Sequence, residues 1–210
     1  MRKKPSRILL GIVKVTGILP ALLFFKPKIY TQEGAGRRLP KSCILVSNHK
    51  SLMDFALYLM IFPLRTVRFL MAEVLFQKGK LFSRFLYALG GIFVDRNSFS
   101  FDFVGDSLQV LDRGGIVGIF PESRLPVNGK PWPFKPSVAY IALRSDAPVV
   151  PIYTDGNYGL FKRTSVMIGA PISMPRLQER ELTKEVYEKT SAELQQKVEA
   201  LGRELERRRK

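Results

Sequence analysis

One cysteine, one histidine and one tryptophan are all that this 210-residue chain contains of three residue types that often carry chemistry. The lone Cys43 excludes an internal disulfide and any multi-cysteine zinc site, and it fits a reducing compartment. A single histidine without a cysteine cluster argues against a transition-metal centre, and no metal ligand is assigned. No internal repeat is visible. The basic residues come with no zinc-finger or RRM-like pattern. The aromatic residues sit inside apolar runs, not among the Lys and Arg side chains, which disfavours a nucleic-acid-binding module. Acidic residues are scarce: 18 Asp and Glu face 34 Lys and Arg, a formal charge of +16. Such a surface seeks a polyanion. Residues 1–41 hold ten Lys/Arg against one Glu, whereas residues 176–210 hold ten against eight. The excess gathers beside the most apolar segment, which favours an anionic membrane surface. With 46% hydrophobic and 25% charged residues, the composition is that of a globular domain with a substantial core.

That apolar segment reads MRKKPSRILLGIVKVTGILPALLFFKPKIY over residues 1–30. A cleaved signal peptide would need a small-residue cleavage site, and none is clear. A transmembrane span from Ile8 to Phe25 would be short and would contain Lys14 and Pro20. Basic residues also flank both of its ends, so a single span would carry one cluster across the membrane, against the positive-inside tendency. The better fit is two short helices broken near Pro20. They would lie in one leaflet with both ends at the cytoplasmic face of the cell membrane, in a monotopic arrangement. Residues 31–41 read as a polar linker.

From Ser42 onward, strand-like runs alternate with helical patterns. Candidate strands are Cys43–Val46, Val67–Met71, Gly91–Asp95, Ile116–Phe120, Val149–Tyr153 and Ser165–Ile168. Candidate helices are Leu52–Phe62, Leu81–Leu89, Phe103–Arg113 and Val138–Arg144. The alternation predicts an α/β domain over residues 42–175, with a largely parallel central sheet flanked by helices. Residues 176–210 form a long charged helix with a thin stripe of Leu182, Val186, Leu194, Val198, Leu201 and Leu205. A helix of that kind packs on the outside of a domain. Pro151, inside a buried strand, predicts an edge, a bulge or a site.

The most informative stretch is Val46-Ser-Asn-His-Lys-Ser-Leu-Met-Asp54. It places His49 in a turn between a strand and a helix, with Ser51 as a candidate N-cap and Asp54 at the third helical position. Residues five apart on one helix point about 140° apart. His49 therefore meets Asp54 only if it folds back from outside the helix. The pair suits general-base catalysis, with the carboxylate fixing the tautomer of the imidazole. The plainer alternative is a helix-capping aspartate beside an ordinary turn histidine. Cys43 as nucleophile is disfavoured, because it lies at the far end of the strand, about 20 Å away if extended.

Other strand ends also carry charge. Gly90-Gly-Ile-Phe-Val-Asp95-Arg96 offers an arginine for bidentate phosphate binding, or a surface ion pair. Ile119-Phe-Pro-Glu122-Ser-Arg124 pairs a carboxylate with an arginine. Phe134-Lys135-Pro-Ser137 opens a helix where backbone N–H groups and Lys135 favour an anion. In open α/β sheets ligands gather at the carboxyl ends of strands, and three such ends here are polar.

These stretches together resemble the 1-acylglycerol-3-phosphate acyltransferases and related glycerolipid acyltransferases. Four family blocks occur in order: Asn48-His49-Lys-Ser-Leu-Met-Asp54, Gly91-Ile-Phe-Val-Asp-Arg96, Phe120-Pro-Glu122-Ser-Arg124 and Val149-Val-Pro-Ile152. The resemblance covers residues 42–170. The third block departs from the usual Phe-Pro-Glu-Gly-Thr-Arg: Ser123 replaces Gly-Thr and the arginine arrives one position early. Ser137 stands where glycine is usual. The resemblance implies a membrane-bound enzyme without a cofactor. It would move a fatty acyl group from acyl-CoA or acyl-carrier protein to the free hydroxyl of 1-acylglycerol-3-phosphate, giving phosphatidic acid. A different lysolipid acceptor, or a non-catalytic lipid-binding role, is the alternative. His49 would be the base and Asp54 its orienting partner. Arg96, with Arg124 or Lys135, would hold the acceptor phosphate, and Glu122 would align an arginine or a glycerol hydroxyl. Backbone amides near the His turn are candidate oxyanion donors, and the sequence does not single any out.

Overall fold

The computed structural model describes residues 6–95 and 102–209. In chain order the elements are α1 (Arg7–Phe25), β1 (Lys28–Thr31), β2 (Cys43–Ser47), α2 (Asp54–Ile61), β3 (Val67–Ala72), α3 (Glu73–Phe76), α4 (Lys80–Ala88), β4 (Ile92–Val94), α5 (Asp102–Asp112), β5 (Ile116–Ile119), α6 (Ser137–Ala142), β6 (Val149–Thr154), β7 (Ser165–Ile168) and α7 (Lys184–Arg209). Among the described residues the strands form one sheet in the order β1-β7-β6-β2-β5-β3-β4. Its pairings are parallel except that of β6 with β7.

Strand β2 shows why its sequence has no polar face. All five of its residues are buried. Cys43 and Leu45 pack into one core with Leu57, Tyr58 and Phe69, while Ile44 and Val46 pack into the other with Val110, Ile141 and Val198. A strand covered on both sides by helices must be apolar at every position. Helices α1 and α2 contribute to the first core, and α5, α6 and α7 to the second. The α/β architecture with a largely parallel sheet is therefore as expected. The thin stripe on α7 is sufficient because Leu194 and Val198 join the second core, while Leu201 and Leu205 cover Met167 of β7.

Three features differ from the sequence reading. First, α1 is one helix with Pro20 inside it, not two helices broken there. Proline removes one backbone N–H from the ladder, and the turns on either side of it keep their helical course. Lys14 turns toward the protein. Its Nζ donates to the carbonyls of Pro63 (2.9 Å) and Arg65 (2.7 Å) in the loop after α2. Partial burial there lowers its proton affinity. Second, Lys28–Thr31 is a strand, paired in register with Ser165–Ile168. Four residues containing a lysine carry too little pattern to be seen alone. Third, of the edge, bulge or site expected at Pro151, the edge is excluded, because β6 lies inside the sheet. The carbonyl of Pro151 accepts from Gly169 N–H, so its missing N–H faces the β7 side as well. That position lies between the Val149–Ile172 bridge and the Ile152–Ile168 pair, where the partner strand is irregular.

Candidate active site

Strand β2 delivers the His turn, and the turn is anchored before the histidine is reached. Asn48 is buried, and its amide donates to the carbonyl of Thr154 (2.9 Å) and accepts from Thr154 N–H (2.9 Å). This ties the end of β2 to the end of β6. The backbone N–H of His49 donates to Oε1 of Glu122 at 3.0 Å, which ties the same turn to the end of β5.

His49 then folds back over the start of α2. Its Nδ1 lies 2.8 Å from Oδ2 of Asp54. The same oxygen accepts from the backbone N–H groups of Lys50 (2.7 Å) and Ser51 (2.9 Å). The hydroxyl of Tyr158, from the loop after β6, donates to Oδ1. Asp54 is fully buried, and these donors replace the water it has lost. The helix starts at Asp54 itself, with Met53 before it making no side-chain cap. Ser51 is thus not the N-cap; its hydroxyl accepts from Met53 N–H at 3.1 Å. Asp54 stands at the first helical position because its carboxylate is drawn backward onto the turn amides. The amides of His49, Lys50 and Ser51 all donate to carboxylates within the protein, so an oxyanion donor near this turn would have to be another group.

The imidazole stacks on Phe120, with centroids 4.4 Å apart and planes 17° apart, and Phe120 stacks on Phe69 at 5.2 Å and 8°. Gly118 makes room for this pile: a Cβ there would come within 2.4 Å of the Phe69 ring. With Nδ1 committed to Asp54, Nε2 is the ring nitrogen left for a substrate. His49 lines a cavity of about 530 Å³, whose walls include Phe55, Phe69, Met71, Leu75, Phe82 and Phe85. Ser123, Arg124 and Lys78 also line it. An apolar cleft of this size with a few polar groups in its lining suits a lipid-like ligand.

The remaining expected site residues are placed unevenly. Glu122 is buried, with Oε1 on the His49 amide and Oε2 without a hydrogen-bond partner among the described residues. Burial pushes its carboxyl above the usual range, an effect offset in part by the bond from His49 N–H. Arg124 is exposed at the cavity rim, its guanidinium over the Trp132 ring at 5.7 Å. Ser123 has φ of 58°, a left-handed conformation that favours glycine. It therefore occupies the backbone place of the block's glycine. Lys135 is exposed and does not line the cavity, and α6 beyond it has only six residues. Arg96 lies outside the described residues. Strand β4, which precedes it, stands three strand spacings from β2, about 14 Å across the sheet. Among the described residues no group of three or more His, Cys, Asp or Glu side chains is placed to hold a metal ion. Cys43 is buried at the opposite end of β2, and its thiol is pushed up to about 12 by burial. Four residues of strand separate it from the His turn, so His49 is not placed to activate it.

Sequence reasoning missed Tyr158, Asn48 and Tyr58. Tyr58 is fully buried, shares a hydrogen bond with Ser47, and is pushed up by burial and then by the charge of Asp54. Nothing local marks Tyr158, because its partner Asp54 lies 104 residues earlier.

Fold and site together define a three-layer α/β protein with a histidine–carboxylate pair where parallel strands end beside an apolar cleft. The profile of the Acyltransferase family matches residues 29–155, and the chain belongs to that family. It is 32% identical over 122 residues to human 1-acyl-sn-glycerol-3-phosphate acyltransferase beta, covering 55% of this chain and 43% of that protein. The human alpha form is 30% identical over 117 residues, with 52% and 39% covered. A Cocos nucifera 1-acyl-sn-glycerol-3-phosphate acyltransferase is 26% identical over 135 residues, with 62% and 43% covered. The chain thus spans less than half the length of these curated relatives. Among solved structures, the 1-acyl-sn-glycerophosphate (LPA) acyltransferase PlsC from Thermotoga maritima shares the fold, with TM-score 0.63 and 22% identity over 92% of this chain and 78% of that one.

Proposed function

We propose that this protein transfers a fatty acyl group from a thioester, acyl-CoA or acyl-carrier protein, to the free hydroxyl of 1-acylglycerol-3-phosphate, giving phosphatidic acid. The carrying observation is His49, held through Nδ1 by a buried Asp54 while lining an apolar cavity. Family membership and the names of the relatives support the reaction class. Nε2 takes the proton of the acceptor hydroxyl as its oxygen attacks the thioester carbonyl carbon. Asp54 stabilises the imidazolium. The C–S bond breaks, and the departing thiolate recovers the proton from His49. The apolar cavity receives an acyl chain. Arg96 is the principal phosphate ligand, and Arg124, which lines the cavity, is the second. Lys135 is the more remote cation.

The test is a purified-protein assay with a panel of lysolipid acceptors against acyl-CoA and acyl-carrier protein. His49→Ala should lower turnover by roughly 10²–10⁴ while the fold is kept. Near-normal turnover in the folded variant would sink the reading.

The same reading places the protein on the cytoplasmic face of the cell membrane. No helix of the described residues is long and apolar enough to cross a membrane. Ile8, Ile12 and Val15 are exposed at helical spacing along α1, as are Leu22 and Leu23 further on. Beside a basic N-terminal segment, this row suits insertion into an anionic leaflet. Replacing Ile12 and Val15 with Asp should weaken co-flotation with anionic vesicles by about tenfold or more, since each buried aliphatic side chain is worth about 1.5–3 kcal/mol. Unchanged flotation would move the contact elsewhere.

A further inference from the structure

The carboxylate of Asp54 has two oxygens in different situations. Oδ2 is crowded, taking His49 Nδ1 and two backbone amides. Oδ1 is held by the hydroxyl of Tyr158. Tyr158 comes from a ten-residue loop between β6 and β7 that is fastened on several sides. Oδ1 of Asp155 accepts from Asn157 N–H and Ser165 N–H, both at 3.0 Å. Gly159 N–H donates to the carbonyl of Phe24 (3.2 Å), and Thr164 N–H donates to that of Phe25 (2.9 Å). Lys26 donates from its side chain to the carbonyl of Leu160. The Phe25 ring meets Tyr158 edge-on, at 5.3 Å and 81°. The loop is therefore docked on the last residues of α1, and that docking delivers the hydroxyl to Asp54.

We infer that Tyr158 is a positioning residue for the reaction. Held by the end of α1, it fixes the rotation of the Asp54 carboxylate and withdraws charge from it, and so tunes His49. The inference rests on His49 being the base. The chemistry follows from the hydrogen bond. A donor on Oδ1 lowers the basicity of the carboxylate and hence its hold on a protonated imidazole. Removing the donor strengthens that hold, so His49 would stay protonated to higher pH and lose competence as a base. Among the charged groups around the pair, Lys78 and Arg124 line the cavity that His49 lines. Lys50 belongs to the His turn, Tyr58 to α2, Glu122 to the turn after β5, and Tyr158 to the loop after β6. Tyr158 is the side-chain donor on Asp54 that comes from outside the His turn and α2. It also lies outside all four sequence blocks.

Tyr158→Phe keeps the ring on Phe25 and removes only the hydroxyl. The acid limb of its kcat/KM profile should move up by roughly half to one pH unit, and kcat should fall about tenfold, with both KM values little changed. The chain has one histidine, so the NMR titration of its ring reports this site alone, without substrate. In the variant that titration should move to higher pH in step with the rate profile. Phe25→Leu, which spares the hydroxyl but loosens its seat, should move both readings the same way by less. A Tyr158→Phe enzyme that keeps the unsubstituted pH profile and ring titration overturns the proposal, even if it is slower or less stable. Such an outcome would mark Tyr158 as purely structural while leaving His49 as base. Activity surviving in His49→Ala overturns the base reading and this proposal together.

Discussion

The turn after β2 and the turn after β5 leave neighbouring parallel strands at the same edge of the sheet, yet they are built differently. In the first, Asn48 is clamped to Thr154, the His49 amide to Glu122, and the Lys50 and Ser51 amides to Asp54. In the second, Glu122 has one buried oxygen with no hydrogen-bond partner within geometric reach among the described residues, Ser123 sits in a left-handed conformation, and Arg124 lies exposed over Trp132. A base must hold its geometry through the proton transfer, so a turn saturated with hydrogen bonds suits it. For Arg124 as a proposed headgroup contact, reach matters more than rigidity. Glu122 links the two turns. Its carboxylate belongs to the third block by sequence but acts on the first by contact.

The sharpest break in this contrast is Asp54→Asn. It keeps the shape of the rigid turn while removing the charge that stabilises the imidazolium, and it should cost roughly 10³-fold or more in kcat. A folded Asn variant with near-normal kcat would show that the ordered turn is structural only. Next come the arginines. Arg96→Ala should raise the acceptor KM about 10- to 150-fold, the worth of a charge-assisted contact, with little effect on the thioester KM. Arg124→Ala should do less. The reverse order, in acceptor titrations at fixed donor, would make the turn after β5 the real phosphate clamp. The third variant, Gly118→Ala, strikes where the two turns touch. Its methyl would push Phe69, and through Phe120 the His49 ring, at a cost of about 1–3 kcal/mol of stability. Thermal melting and kcat should fall together. A loss of stability with kcat intact would uncouple the aromatic pile from the base.

Much of the site is readable in linear order because the chemistry is local. A single histidine five positions before an aspartate, at the end of an apolar run, leaves few geometries in which the two meet. The strands of the central sheet are equally readable, since burial on both faces demands unbroken apolar runs such as Cys43–Val46. Where the reading failed, the deciding partner was distant. For Pro151 an edge, a bulge or a site stay open in the sequence, and the choice falls to the irregular segment opposite, near Gly169 and Ile172, with the edge excluded. The break expected at Pro20 ignored what holds α1: Phe25 is buried in the core, and Lys14 reaches the carbonyls after α2.

Composition and order alone determined the family blocks, the candidate base with its carboxylate, the basic and apolar N-terminal segment, and the α/β class. These follow from short-range pattern: period, spacing and residue type. Tertiary structure decided what surrounds the pair. It spent the turn amides on Asp54, brought Glu122 to the His49 backbone, and carried Tyr158 across 104 residues to the second carboxylate oxygen. Such contacts satisfy a buried charge, and which groups are free to satisfy it is known only once the sheet has placed β2, β5 and β6 side by side.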